Sequence, residues 1–426
     1  MKKLTAAGLL LGGLSLLGIN AQAEDVRQVF PHAMPASKPD IPLSAAMERI
    51  FDYPSARPAT NELYTLFKHS MLDGFDYSNG DGTVSRRDPS RAILVDGTYY
   101  VWYTKRHTKV PPVGFTDMSK VTETAPSTDW DLAEIWYATS KDGFTWQEQG
   151  VAVPRPPKPN PGHRSVATAD ILQWKGKYYL YYQAFDEPSG LNGDHCIVAA
   201  SVADSPRGPW KAINKAVVDA GQKGDWDQSQ IQDPMPIVHN GQIYLYFKAT
   251  LNKWPDRRKE YVVAQGLATA DNPLGPFRKH PLNPVINSSH ETFYFPYKEG
   301  IATLVTKDGP ERDTVQYAKD GVNFEIASVI SLPPVAGGPF TPDAFTDTKD
   351  GRGITWGLAH FKNMGGKGKD YSILSRFDCD LSQDVNEPVM RSTRVNFKHD
   401  VYLSQGISKE LKEKFKQRAI DAAKGK

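Results

Sequence analysis

The sequence predicts an all-β protein, a five-bladed β-propeller with a helical N-terminal extension and a short C-terminal helix. Three observations predict it. Aromatic residues make up 11% of the 426 positions beside 34 Gly and 32 Pro, a turn-rich balance that favours strands over a helical bundle. A Gly-containing turn followed by a β-forming strand, Tyr-rich in its strong copies, recurs five times. A third strand then follows and ends in another turn and an aromatic residue.

In chain order, Asp96-Gly97 leads into Thr98-Tyr99-Tyr100-Val101-Trp102-Tyr103, and Lys175-Gly176 into Lys177-Tyr178-Tyr179-Leu180-Tyr181-Tyr182. Asn240-Gly241 leads into Gln242-Ile243-Tyr244-Leu245-Tyr246-Phe247. Weaker copies begin at Glu299-Gly300 and Gly351-Arg352-Gly353. Asp-Gly and Asn-Gly supply positive φ at low cost, so each strong copy reads as the second strand of a tight hairpin. The closing aromatics Trp146, Trp210, Phe277 and Phe324 are 64, 67 and 47 residues apart. Five sheet units of about that size indicate radial repetition, with a two-sheet sandwich as the competitor. The stretch Ser140 to Trp146 resembles an Asp-box one residue short and is read as hairpin chemistry.

The flanks differ. Residues 1–23 read as an export signal: Lys2 and Lys3, a mostly apolar run from Ala6 to Ile19, then Ala21-Gln22-Ala23. The destination is the periplasm, with secretion as the alternative. Without that segment the basic and acidic residues are equal in number, which argues against nucleic-acid and anionic-membrane partners. No later stretch approaches about 18 apolar residues, the length of a membrane helix. Residues 24–75 form the extension, where Asn61 caps a helix carrying Leu63, Leu66, Phe67 and Met71 on one face. The propeller spans 76–395 and a charged helical tail spans 396–426. Two cysteines, Cys196 and Cys379, make no disulfide framework or zinc cluster, although an oxidising compartment allows them to pair.

Upstream of each turn lies a short segment that reads as the innermost strand, and each carries an acid: Asp88, Asp170, Asp233, Glu291 and Asp343. The acids precede their turn glycines by 9, 6, 8, 9 and 8 residues. Such phasing predicts five carboxylates at similar heights around one axis. The alternative is that they cap turns or pair with Arg86, Arg87 and Arg164. Carboxylates gathered at one mouth raise each other's pKa and require a cation nearby. Paired carboxyls on different blades suit glycosidic hydrolysis, with one face donating a proton and the other activating water. Trp130, Trp136, Trp226, Trp254 and Tyr294 are candidate sugar platforms. Trp226 stands out because it sits in the polar loop Gly224-Asp225-Trp226-Asp227.

The series Ser85-Arg86-Arg87-Asp88-Pro89-Ser90, Asp225-Trp226-Asp227-Gln228 through Gln232-Asp233-Pro234-Met235-Pro236, and His290-Glu291-Thr292 resembles glycoside hydrolase family 117. The resemblance runs from about residue 45 to the C-terminal helix. It implies a five-bladed propeller that releases 3,6-anhydro-L-galactose, with inversion, from the non-reducing end of neoagarobiose and short neoagaro-oligosaccharides. It also implies Asp88 as general base, Asp233 as an essential supporting carboxylate and His290 as general acid beside Glu291. Either His290 or Glu291 can be the proton donor, and neighbouring carboxylates should raise the imidazole's pKa. Arg87, Trp130, His163, Asp170, Gln183, Trp226 and Asp343 complete the candidate site as sugar-binding residues. The resemblance further implies a homodimer formed through the N-terminal extension. No cofactor is required, and a divalent cation near the site is the one ion the family suggests. Competing readings are an arabinanase-like or xylosidase-like propeller glycosidase and a non-catalytic sugar-binding propeller.

Overall fold

The computed structural model describes residues 28–383, apart from 53–57, 59–61, 78–79, 192–193, 253–260, 363 and 365–370, and residues 413, 417, 420, 421 and 424 of the tail. The expected export signal lies outside the described residues. In the tail, Glu413, Gln417, Ile420 and Asp421 are helical.

The chain is mostly β with few helices. Its strands fall into consecutive groups that match the sequence copies. The first holds Val84–Arg87, Ile93–Val95, Thr98–His107, Ala133–Ser140 and Trp146–Val153. The second holds Ser165–Trp174, Lys177–Phe185, Ile197–Ala203 and Lys211–Ala212, and the third Gln232–His239, Gln242–Asn252, Tyr261–Ala270 and Arg278–Lys279. Next come Glu291–Lys298, Gly300–Thr306, Thr314–Ala318 and Glu325–Val329, followed by Gly338–Pro339, Gly351–Phe361 and Ile373–Ser382. Hydrogen bonding joins these last two groups, with Lys68–Met71 added at the edge, into one eight-stranded sheet through Tyr297–Arg352 and Lys298–Gly351, so the described residues form four sheets.

The turn chemistry explains the hairpins. Asp96, Lys175 and Asn240 have φ of 49°, 48° and 52°, and the glycine after each is also positive. Both central residues of such a turn take the left-handed conformation that matches strand twist. In the fourth copy the left-handed residue is Lys298, and Gly300 already belongs to the strand. At Ser140 to Trp146, Asp142 Oδ1 accepts the N–H groups of Phe144 and Thr145 at 2.8 and 2.7 Å. That stretch is hairpin chemistry, as expected.

Buried apolar clusters lie between successive strand groups. Trp102 and Ile171 share one, Tyr181 and Phe247 the next, and Tyr246 and Tyr294 the third, where their rings stack at 3.8 Å. Phe293 and Phe377 share the fourth, while Tyr103, Trp146 and Trp356 share a fifth that joins the last group to the first. Burial on both faces is why these strands read as apolar runs; each full burial of a large side chain contributes roughly 1.5–3 kcal/mol.

The N-terminal segment packs against this body. The helix Ala45–Asp52 buries Met47, and Arg49 donates to both Glu311 oxygens at 2.8 and 3.0 Å. The helix expected from Asn61 onward is not formed. Lys68–Met71 is instead an edge strand paired with Ile373–Ser382, and Leu63 and Phe67 pack into the fourth cluster. Ladder bonds and sheet burial outweigh a weak helical spacing. Both cysteines are free, and Cys379 is buried in its strand, so no disulfide joins them.

Candidate active site

The inner strands of the first three groups break at one place. Arg87 pairs with Thr104, Ala167 with Gln183 and Gln232 with Lys248. The next residues, Asp88, Thr168 and Asp233, have φ of 48°, 49° and 48°. Residues of this kind seldom enter that region, at about 1–3 kcal/mol each, and such strain collects at functional sites. Each break lifts one side chain out of the ladder. The fourth inner strand has no break, and Glu291 pairs directly with Thr306.

Thr168 is therefore the counterpart of Asp88 and Asp233, and the sequence phase is corrected at Asp170. Its distance of six residues to the turn glycine was the odd one in the series, whereas Thr168 stands eight before Gly176. Asp170 lies on the cleft wall, but Arg91 holds it: Nε and Nη2 donate to Oδ2 at 3.1 and 2.9 Å, and the Arg91 N–H donates to Oδ1 at 2.9 Å. Asp343 is also corrected. It lies five residues past Gly338, accepts the Arg352 N–H at 2.9 Å and is not among the residues lining the cleft.

A cleft brings Asp88, Thr168, Asp170, Asp233 and Glu291 together, with Met235 and Phe293 as apolar wall. The carboxyls inside it differ sharply in proton affinity. Burial pushes the Asp88 carboxyl up, but Arg87 leads the charges that overturn this and hold it well below the ordinary carboxylate range, to which His360 adds only when protonated. Arg87 Nε donates to Oδ2 at 2.7 Å, and Thr168 Oγ1 donates to the same atom at 3.2 Å. His360 Nδ1 accepts the Asp88 main-chain N–H at 3.1 Å and sits 3.2 Å from Oδ1. Asp233 goes the other way. Burial raises it, Lys248 at 2.6 Å opposes, and Glu291 and Asp88 add to the rise, to about 6. Burial also raises Glu291, but Lys307, 3.4 Å from Oε1, leads the charges that bring it down to about 2. His290 adds to that only when charged.

His290 stands beside this group, with Nε2 4.0 Å from Glu291 Oε1 and Nδ1 3.0 Å from Asp308 Oδ2. The expectation that carboxylates raise its pKa is overturned. Burial first, then Lys307 and Lys248, hold it well below its ordinary value against the pull of Glu291. Because 37% of the side chain is exposed, water moderates the burial part.

The remaining candidates divide. Arg87 is buried and bridges Asp88 to Asp129, with its guanidinium 4.8 Å over the Trp130 ring. Its charge is committed to these two carboxylates. Trp130 is half-buried and donates Nε1–H to Ser189 at 3.0 Å. His163 belongs to a separate polar recess with Arg164, Lys158 and Asp186, and its Nδ1 is 3.1 Å from Asp186. Gln183 is buried on the strand Lys177–Phe185. Trp226 is corrected outright: at 1% exposure, stacked on Phe247 and covered by the Phe30 segment, it cannot meet a sugar. Among the other aromatics, Tyr294 is fully buried and Trp136 lies under Lys105, while Trp254 is outside the described residues.

Among the described residues no group of three or more His, Cys, Asp or Glu is arranged to hold a metal ion. Arg87, Lys248 and Lys307 already neutralise the cleft carboxylates, so this donor set does not fit a chelated divalent cation. Sequence reasoning missed those lysines, His360 and Thr168. The available signal was a charged residue inside an apolar strand: Lys248 after Tyr246-Phe247, and His360 after Leu358-Ala359.

A family model described as glycosyl hydrolases family 43 matches residues 83–265. A solved glycoside hydrolase is 11% identical, covering 83% of this chain and 97% of its own, with a TM-score of 0.52. A solved complex of BT0996 with RGII is 12% identical over the same shares, also at 0.52; at such identity both show the fold alone. No curated protein matches the sequence. Zg3597, a family 117 glycoside hydrolase produced by the marine bacterium Zobellia galactanivorans, is 62% identical, covers 81% of this chain and 99% of its own, and superposes with a TM-score of 0.74. On that identity and coverage, the chain therefore belongs to glycoside hydrolase family 117 and is a glycosidase.

Proposed function

We propose that this glycosidase is an exo-acting, inverting 1,3-α-3,6-anhydro-L-galactosidase that removes 3,6-anhydro-L-galactose from the non-reducing end of neoagarobiose and short neoagaro-oligosaccharides. The carrying observation is that Asp88, Asp233 and Glu291 share one cleft while differing in protonation. Inverting hydrolysis needs an ionised base on one face of the sugar and a proton source on the other. Asp88, kept anionic by Arg87, is the base that takes a proton from the attacking water. His290 is the donor to the leaving oxygen, with Asp308 orienting Nδ1 so that Nε2 is free to give a proton. Burial and the lysine charges favour the neutral imidazole, so His290 is a donor only in its protonated form. Asp233 holds a proton up to about pH 6 and is the second candidate donor. The five apolar clusters, the last joining the final strand group to the first, support a ring of five blades. An exported homodimer remains part of this reading; sedimentation and cell fractionation test it.

Incubation with neoagarobiose followed by NMR should show the free anhydro sugar, first as the anomer of inverted configuration. Absence of any monosaccharide contradicts the reading. The family 43 match favours one alternative, an arabinan or xylan glycosidase, which aryl arabinofuranosides and xylosides distinguish. For the donor, His290→Ala should slow the natural substrate more than an aryl glycoside with an acidic leaving group. If Asp233→Asn shows that dependence instead, the role passes to Asp233.

A further inference from the structure

Resting on the glycosidase reading, we propose that Phe115 and Leu191 form an aromatic–apolar shelf that binds the leaving-group part of a galactan oligosaccharide longer than a disaccharide. Phe115 is 55% exposed and Leu191 51%, yet neither sits on loose chain. Phe115 begins the 3-10 turn Phe115–Lys120, anchored just before it by Gly114 N–H to Ser127 O at 3.0 Å and Val113 N–H to Pro126 O at 2.9 Å. Ser127 is tied in turn to Asp131 at 2.7 Å, and Asp131 is held by Arg164 through two 2.7 Å bonds.

The second loop is fitted to the first. Gly190 has φ +86°, and a Cβ there would meet Phe115 Cδ1 at 2.2 Å, so only glycine lets the ring lie against this turn. Ser189 accepts the Trp130 Nε1–H at 3.0 Å, and Leu191 follows on the same turn. An outward-facing aromatic held by a fixed turn offers a flat apolar face of the kind on which a sugar ring packs.

A chain of side-chain contacts leads from the shelf to the cleft carboxylate and points to the occupant. The Phe115 ring lies 6.2 Å from the Trp130 ring, Trp130 lies 4.8 Å from the Arg87 guanidinium, and Arg87 bonds the carboxyl of Asp88. In an exo-acting enzyme the terminal sugar fills the cleft and the rest of the oligosaccharide leaves along its rim. The shelf therefore meets a sugar beyond the one that carries the leaving oxygen. Its ligand is the apolar face of a pyranose ring.

The test is binding of neoagarobiose and neoagarotetraose to full-length protein carrying Asp88→Asn, which holds substrate without turning it over, with and without Phe115→Ala. The tetrasaccharide should bind about tenfold tighter than the disaccharide, and that ratio should fall toward one in Phe115→Ala. Gly190→Ala, which displaces the ring without removing it, should lower the ratio too, and Phe115→Trp should restore it. A ratio unchanged in Phe115→Ala, while the unmodified enzyme still cleaves neoagarobiose, overturns the shelf and leaves the glycosidase reading intact. A ratio lost in Phe115→Ala, with no cleavage by the unmodified enzyme, does the reverse. No binding of either sugar overturns both.

Discussion

Asp88 and Asp233 occupy the same kind of position. Each follows a paired inner-strand residue at a break in the ladder, takes φ 48°, precedes a proline, is buried and lines the cleft. Their proton affinities nonetheless move in opposite directions. Asp88 receives a guanidinium hydrogen bond and a histidine contact; Asp233 receives one ammonium and faces two other carboxylates. Backbone geometry delivers a carboxyl to the cleft, and its neighbours decide whether that carboxyl is a base or an acid.

The largest effect that sharpens this comparison is expected at Asp88. Asp88→Asn keeps the shape and removes the charge, so kcat should fall about 10³-fold while disaccharide affinity stays measurable. A loss below about tenfold would remove Asp88 from the base role. Lys248→Met acts on the other carboxyl. Lys248 lowers the pKa of Asp233 and of His290, so its loss raises both, and the protonated form survives to higher pH. The alkaline limb of kcat/KM should then move up by about one unit, and a limb that stays or moves down contradicts the assignment. A smaller effect is expected at His360, which accepts the Asp88 N–H and whose Nε2 has no hydrogen-bond partner among the described residues. His360→Ala should lower kcat about tenfold and leave KM nearly unchanged if Asp88 is the base, because it loosens Asp88 while His360 is not among the residues lining the cleft.

The hairpins were legible because Asp-Gly, Lys-Gly and Asn-Gly turns carry their backbone conformation in the residue type. The acids on the inner strands were legible too, but not the register. A bulge shifts which residue turns inward, so Asp170 looked equivalent to Asp88 when Thr168 is. Trp226 failed for a different reason. Its polar loop suggested exposure, but the cover comes from Phe30, almost two hundred residues earlier in the sequence. The charges that separate Asp88 from Asp233 were hidden because Lys248 and His360 lie on strands, and Lys307 just past the end of one, that approach the cleft only after folding. Local apolar spacing also misassigned Lys68–Met71, whose partner strand lies near the other end of the chain.

One measurement addresses the division between the two carboxyls directly: a carbon-detected NMR titration of the aspartate side chains, assigned with Asp88→Asn and Asp233→Asn. Asp233 should titrate near pH 6, while Asp88 stays ionised through the ordinary carboxylate range. If both titrate together near pH 4, the ordinary aspartate value, the cleft does not separate base from acid and the account is wrong.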